Sequence, residues 1–185
     1  IEADPRPPYL VCSTRELPAG DLKEAAALAA ACDRFYTAGR AVGWFKAALS
    51  PLRARPSAFL RAYGERIGIA EPTPPPTGRA LVSEQLAFLE QAYSAARLDR
   101  LLPALRDLVR LHGAWARALA EGEETELDLT YDPEEALASS QSLEAFVKAA
   151  RPAPSRVLVV PDDEEGARIE EAPDRPRRPP RGRRA

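Results

Sequence analysis

Apolar residues recur along this chain with two periods. From Leu22 to Leu119 they fall three and four apart, the spacing of helices with one buried face, and from Thr125 they begin to alternate with polar residues, the spacing of strands. The first stripe is Leu22, Ala25, Leu28, Ala29, Cys32, Phe35 and Tyr36. Asp21 stands three residues before Glu24, the capping-box spacing, so a helix is expected to begin there, and Gly39 is expected to close it in the left-handed conformation. A second helix is expected from about Ala41, with Val42, Phe45 and Leu49 inward, until Pro51 and Pro56 remove backbone donors. In a third, Ser57 is the expected cap, Phe59, Leu60, Tyr63 and Ile67 the apolar face, and Gly68 the end. Leu81, Val82, Gln85, Leu86, Leu89 and Tyr93 mark a fourth helix. Leu105, Leu108, Val109, His112, Trp115, Ala116 and Leu119 mark a fifth, ended by Gly122, and these two are expected to pair as an antiparallel hairpin.

The strand signals lie at the two ends. Pro8-Tyr9-Leu10-Val11-Cys12-Ser13 reads as one short strand with no strong neighbour to pair with, since the other strand candidates lie more than a hundred residues later. Leu127, Leu129 and Tyr131 alternate with Glu126, Asp128 and Thr130, a strand with one wet face. Asp132-Pro133-Glu134-Glu135 then starts a short helix to Ala138, with Asp132 as cap and acids at the positive end of the dipole. Another short helix runs from Leu143 to Ala149 after Ser142. Arg156 to Val160 and Ala167 to Glu170 are further strands, joined by an acidic turn that carries Gly166. The expected fold is mainly α: a helical domain with a short N-terminal strand, a few short C-terminal strands and a disordered Arg/Pro-rich tail.

Proline divides this pattern into regions. Residues 1–7 read as a linker from a missing upstream domain, and 8–68 as the first strand with its helices. Residues 69–78, with Pro72, Pro74, Pro75 and Pro76, read as a semi-rigid polyproline linker. Residues 79–171 follow as the helical hairpin with a small αβ part, and 172–185 as a disordered basic tail. With no methionine in the chain, the expectation is a processed protein or a piece of a larger one.

Composition narrows the function classes. Hydrophobic residues make up 45% of 185, enough for a real core. The 26 basic and 28 acidic residues leave a net charge of -2, so no global field steers the protein onto nucleic acid. Two cysteines are too few for a disulfide framework, which points to a reducing, cytoplasmic setting. No run approaches the roughly 20 apolar residues that span a bilayer, so no membrane partner is expected.

Candidate chemistry is sparse. His112 is the only histidine, which excludes a multi-histidine metal site, and its place on an apolar stripe reads as a buried neutral ring with one hydrogen-bonded nitrogen rather than a ligand or proton carrier. Cys12 reads as a small apolar strand residue, and Cys32 belongs to a core stripe. Asp128, Asp132, Glu134 and Glu135 are largely explained by capping, while Asp162-Asp163-Glu164-Glu165 lacks the ligand alternation of a calcium loop. Neither a G-x-G-x-x-G nor a Walker spacing occurs, which excludes nucleotide hydrolysis through such loops. Arg175, Arg177, Arg178, Arg181, Arg183 and Arg184 form a basic tail without aromatic residues to stack bases, which argues against a nucleic-acid partner. No catalytic, cofactor-binding or metal-ligating residue is expected in this segment.

One resemblance adds to this reading. Pro8-Tyr9 with Val11 and Ser13-Thr14, then Leu17, Asp21-Leu22, Phe35-Tyr36, Gly39-Arg40, Pro56 and Phe59-Leu60, resemble the domain of unknown function found C-terminal to the cobalamin-binding and radical S-adenosylmethionine domains of certain bacterial enzymes. The likeness covers about residues 8 to 160 and is fainter after the Pro-rich linker. It implies an accessory domain, non-catalytic by itself, whose partners are upstream radical SAM and cobalamin-binding domains of the same chain. The iron-sulfur cluster, S-adenosylmethionine and cobalamin would belong to that parent enzyme. Neither C-x-x-x-C-x-x-C nor D-x-H-x-x-G occurs, so no family catalytic residue carries over. The second reading is a free-standing helical module that binds a protein or a nucleic acid.

Overall fold

The computed structural model describes residues 2–5, 11–68, 76, 78–138 and 141–173. The Arg-rich stretch 175–184, most of the 69–78 linker and the Pro8–Leu10 part of the first strand lie outside them. Strand β1, Glu2–Ala3, pairs antiparallel with β2, Val11–Ser13, and Ser13 Oγ donates to Glu2 at 3.0 Å. The first strand therefore does have a neighbour in the chain, supplied by residues expected to be a linker.

Helix α1, Ala19–Cys32, runs into a π-helical stretch, Asp33–Ala38. No side chain caps α1: the extended Pro18 precedes it, the Pro18 carbonyl accepts from Leu22 N at 3.1 Å, and Asp21 lies inside the first turn. The expected Asp21-Glu24 box is not formed, because proline starts the helix two residues earlier. At the far end Gly39 has an ordinary φ of -73°, and the left-handed turn falls on Arg40 at 51°. Glycine is needed at 39 for room instead: a Cβ there would run into the Phe35 carbonyl oxygen and Gln85 Nε2.

Helix α2, Phe45–Leu49, is extended by a 3-10 turn at Ser50–Leu52. Residues 41–44 form a turn and not the expected helical start, so Ala41 and Trp44 point inward while Val42 is 70% exposed. Helix α3, Pro56–Ile67, begins on Pro56 with no side-chain cap, since the fixed φ of proline makes Ser57 unnecessary. Gly68 closes it at φ 68° as expected.

Helices α4, Gly78–Ala95, and α5, Leu102–Glu121, form the expected antiparallel pair. Arg106 Nε donates to Glu90 at 2.6 Å near one end, Gly113 abuts Val82 in the middle, and Arg79 Nε donates to Glu123 at 2.7 Å at the other. The apolar stripe of α5 departs from expectation after Val109: Leu111, Ala114 and Ala118 are buried, and Leu119 is 63% exposed. The reason is that α5 is covered on two sides, by helices on one and by a sheet on the other, so a one-sided stripe misplaces its last turns.

That sheet is β3-β4-β5, antiparallel throughout, built from Thr125–Leu129, Ser155–Asp162 and Gly166–Glu171. Leu127 faces Val157 and Val159 faces Ile169, and the predicted alternation puts Leu129 and Tyr131 in the core. Between β3 and β4 stand the short helices α6, Pro133–Ala138, and α7, Leu143–Ala149. Asp132 Oδ1 accepts the N–H groups of Glu134 and Glu135 at 3.0 and 3.1 Å, and Ser142 caps α7 through Ala145 N. The Asp132 cap and the start of α7 just after Ser142 follow the expectation from the sequence.

The core centres on Phe35, which has no exposed surface. The rings of Tyr63, Phe59 and Trp44 stand edge-on to it at centroid distances of 4.8, 5.2 and 5.8 Å. Phe88 of α4 joins the same cluster at 5.0 Å from Phe59, and Leu105 and Leu108 of α5 continue it toward Leu129, Val157 and Val159 of the sheet.

Candidate functional site

The polar groups with the most chemical potential are mostly committed to holding the fold. Glu84 on α4 accepts a hydrogen bond from Arg34 Nε at 2.9 Å and one from the Tyr63 hydroxyl. Burial pushes the Glu84 carboxyl up, but the Arg34 and Tyr63 bonds outweigh it and hold the group below the usual range. Burial, then the bond to Glu84, pushes the Tyr63 phenol well up. Gln85, fully buried, donates through Nε2 to the carbonyls of Phe35 and Gly39 at 2.8 and 2.9 Å, which closes the π-helical stretch. Asp107 on α5 accepts the N–H groups of Thr130 and Tyr131 at 2.7 and 3.0 Å and so fixes the end of β3.

The residues weighed in the sequence reading do not converge. His112 packs over Gly43, where a Cβ would stand 2.6 Å from its Cε1, and its Nε2 is buried without a hydrogen-bond partner among the described residues. Burial lowers its pKa below the ordinary 6.5. The folded state thus binds the proton less readily, so stability is full above pH 6.5 and falls as the pH drops through the folded value. His112→Leu is expected to abolish this acid-side loss in urea melts compared at about pH 7.5 and about pH 5, and His112→Ala to melt lower than leucine by roughly 1–3 kcal/mol. An unchanged pH slope in the leucine variant would place the ring in solvent. Cys12 is exposed rather than packed, Cys32 lies against the core, and neither is in a disulfide. Asp162 Oδ1 accepts the N–H groups of Glu164 and Glu165 at 2.9 Å, as a turn requires. Among the described residues no three His, Cys, Asp or Glu side chains gather as a metal site.

What the fold does build is a furrow along α5, between α4 and β3. It consists of two adjoining hollows, about 250 and 440 Å³, that share Arg110. In the first, Val82 and Leu86 of α4 face Leu127 of β3, with Arg110 and Arg117 between them. In the second, Glu90 and Arg106 face Asp128 and Thr130. The antiparallel return from α5 to β3 creates this arrangement, since it lays β3 back along the helix it has just left. Most of the furrow's charges are matched. Arg106 is bonded to Glu90 and Arg79 to Glu123, while Arg117, only 5% exposed, reaches Thr125 Oγ1 at 3.2 Å with its Nε left without a hydrogen bond. Arg110 is different: it is exposed and makes no hydrogen bond or ion pair with any described residue, and its charge acts on Asp107.

This surface carries no motif of its own in the sequence. Arg106, Arg110 and Arg117 occur at intervals of four and seven, the spacing of one helix face, and that is the signal by which it was findable. No protein-family model, no curated protein and no solved structure matches this chain.

Proposed function

We propose that this chain is a helical protein-interaction module, non-catalytic by itself, whose binding surface is the furrow between α4, α5 and β3. The observation that carries the reading is the furrow's composition: apolar Val82, Leu86 and Leu127 beside the exposed Arg110, which bonds no described residue, on a scaffold whose other polar groups mostly hold the fold. A concave surface with an apolar floor and a few placed charges suits a polypeptide partner. Nucleic acid suits it less, because Glu90, Glu126 and Asp128 interrupt the arginines and would repel a continuous phosphate backbone.

Radical SAM and cobalamin-binding domains on the same polypeptide would be one case of this reading. The residues that carry that resemblance act here through packing. Phe35 and Phe59 are cluster rings, Gly39 makes room for Gln85, and Arg40 donates to Ala116 O at 2.7 Å. They bring no cofactor chemistry with them.

A photo-crosslinking amino acid placed at Ser83, on the furrow rim, and at Lys23, on the exposed face of α1, tests the proposal in producing cells. The expected result is a discrete protein adduct at Ser83, identified by mass spectrometry and reproduced with the purified pair, with little at Lys23. Nuclease-sensitive adducts at Ser83, or equal labelling at both positions, would overturn it.

A further inference from the structure

We infer that the furrow takes an extended peptide that lies alongside β3 and carries, on its inward face, a carboxylate for Arg110 and, two residues from it, an apolar side chain. The inference rests on the reading of the chain as an interaction module and names the partner's chemistry. Three observations carry it. In the sheet order β3 lies at an edge, bonded to β4 on its other side, so a strand added there would extend the sheet. The furrow runs the length of that edge, from Thr125 in one hollow to Thr130 in the other. A segment lying in it would therefore be about as long as a short strand, at roughly 3.3 Å per residue.

Charge then selects the inward side chains. Of the guanidinium groups in the furrow, those of Arg79, Arg106 and Arg117 already have bonded oxygen partners, whereas that of Arg110 acts on the buried Asp107 through its charge alone and makes no hydrogen bond or ion pair with a described residue. A carboxylate set against Arg110 would complete a charge-assisted pair, and Arg is suited to bind it through two parallel bonds. In an extended peptide the residues two positions to either side share that face, about 7 Å away. On one side Val82, Leu86 and Leu127 offer apolar surface, while the hollow on the other side is lined by Glu90, Arg106, Asp128 and Thr130. A basic residue in the central place would meet Arg110 and be repelled. The recognised pattern is thus an acidic residue with an apolar one two positions away, on the side of Val82, Leu86 and Leu127.

The probe is a fluorescein-labelled peptide, Ser-Val-Thr-Glu-Thr-Val-Ser, whose symmetry suits either strand direction. Its lysine counterpart, Ser-Val-Thr-Lys-Thr-Val-Ser, and a form N-methylated at alternate residues serve as comparisons, with fluorescence anisotropy on the full chain as the measurement. The glutamate peptide is expected to bind at least tenfold more tightly than the lysine peptide, and N-methylation to weaken it at least tenfold by removing edge hydrogen bonds. Arg110→Glu should invert the preference and gain binding of the lysine peptide, a result that an unfolded variant cannot mimic. Equal binding of the two peptides, binding to neither at millimolar concentration, or no response to Arg110→Glu would overturn the inference. So would displacement of the glutamate peptide by a single-stranded oligonucleotide that binds the furrow more tightly. If the peptides fail while the Ser83 adduct persists, the partner is a folded surface and only this inference falls. Loss of the adduct as well removes the interaction reading itself.

Discussion

Alanine at position 35 is expected to destabilise the protein by about 3–5 kcal/mol. Phe35 has no exposed surface and stands edge-on to Trp44, Phe45, Phe59, Tyr63 and Phe88, at centroid distances from 4.8 to 6.5 Å. Truncation removes the buried ring, leaves a cavity that five other rings cannot close together, and loses edge-to-face contacts worth about 0.5–1.5 kcal/mol apiece. A domain of this size has only about 5–15 kcal/mol in total, so the variant should stand close to unfolding. Urea titration followed by tryptophan fluorescence is the measurement, since the Trp44 ring lies in the same cluster. Phe35→Leu should recover more than half of the loss. A cost below about 1 kcal/mol for alanine would mean that the cluster is not the centre of the core.

Asp107→Ala is expected to be the next most damaging change, at roughly 2–5 kcal/mol, from two N–H groups orphaned at about 1–3 kcal/mol each, with Thr130 at the lower end because its bond is only part-buried. The carboxylate is 2% exposed and is the acceptor for both Thr130 and Tyr131, where β3 hands over to α6. Asp107→Asn keeps an oxygen acceptor and should lose much less. The two variants also separate by pH. Burial pushes the Asp107 carboxyl above its ordinary 3.8, against the pull of the two N–H groups, so the folded state holds the proton more readily. Its contribution is therefore greatest below 3.8 and declines as the pH rises through the folded value, a slope that the asparagine variant lacks. Hydrogen exchange gives the local reading: the Thr130 and Tyr131 amides should be protected in the parent and exchange quickly in the alanine variant. Unchanged protection would show that β3 is held by the sheet alone.

The elements set by local rules were legible in the sequence. Asp132 and Ser142 announced their helices because a cap acts within three residues, and the alternation from Leu127 to Tyr131 survived because that strand has one wet face. Elements decided by neighbours distant in the chain were not. Gly39 looks like a helix terminator, yet its function is to let Gln85 approach from 46 residues away. Val42 fits a helical stripe, but residues 41–44 form a turn in which Val42 is outward. A one-faced stripe does not describe α5, because that helix is buried between two layers. The furrow was hidden for a related reason. Its arginines lie on α5, its apolar residues on α4 and β3, and only the antiparallel return of the chain brings them together.

The core does not divide where proline divides the chain. Phe88 packs on Phe59, Tyr93 donates its hydroxyl to Ala48 O at 2.6 Å, and Glu84 and Gln85 reach back to Arg34, Tyr63, Phe35 and Gly39, all across the interval between Gly68 and Gly78. Each half supplies surface that the other must cover, and neither encloses the aromatic cluster alone. Covalent continuity through that interval is therefore secondary to complementarity. A polypeptide nicked there would remain one particle, and two separately made halves would be obligate partners, each the template on which the other folds.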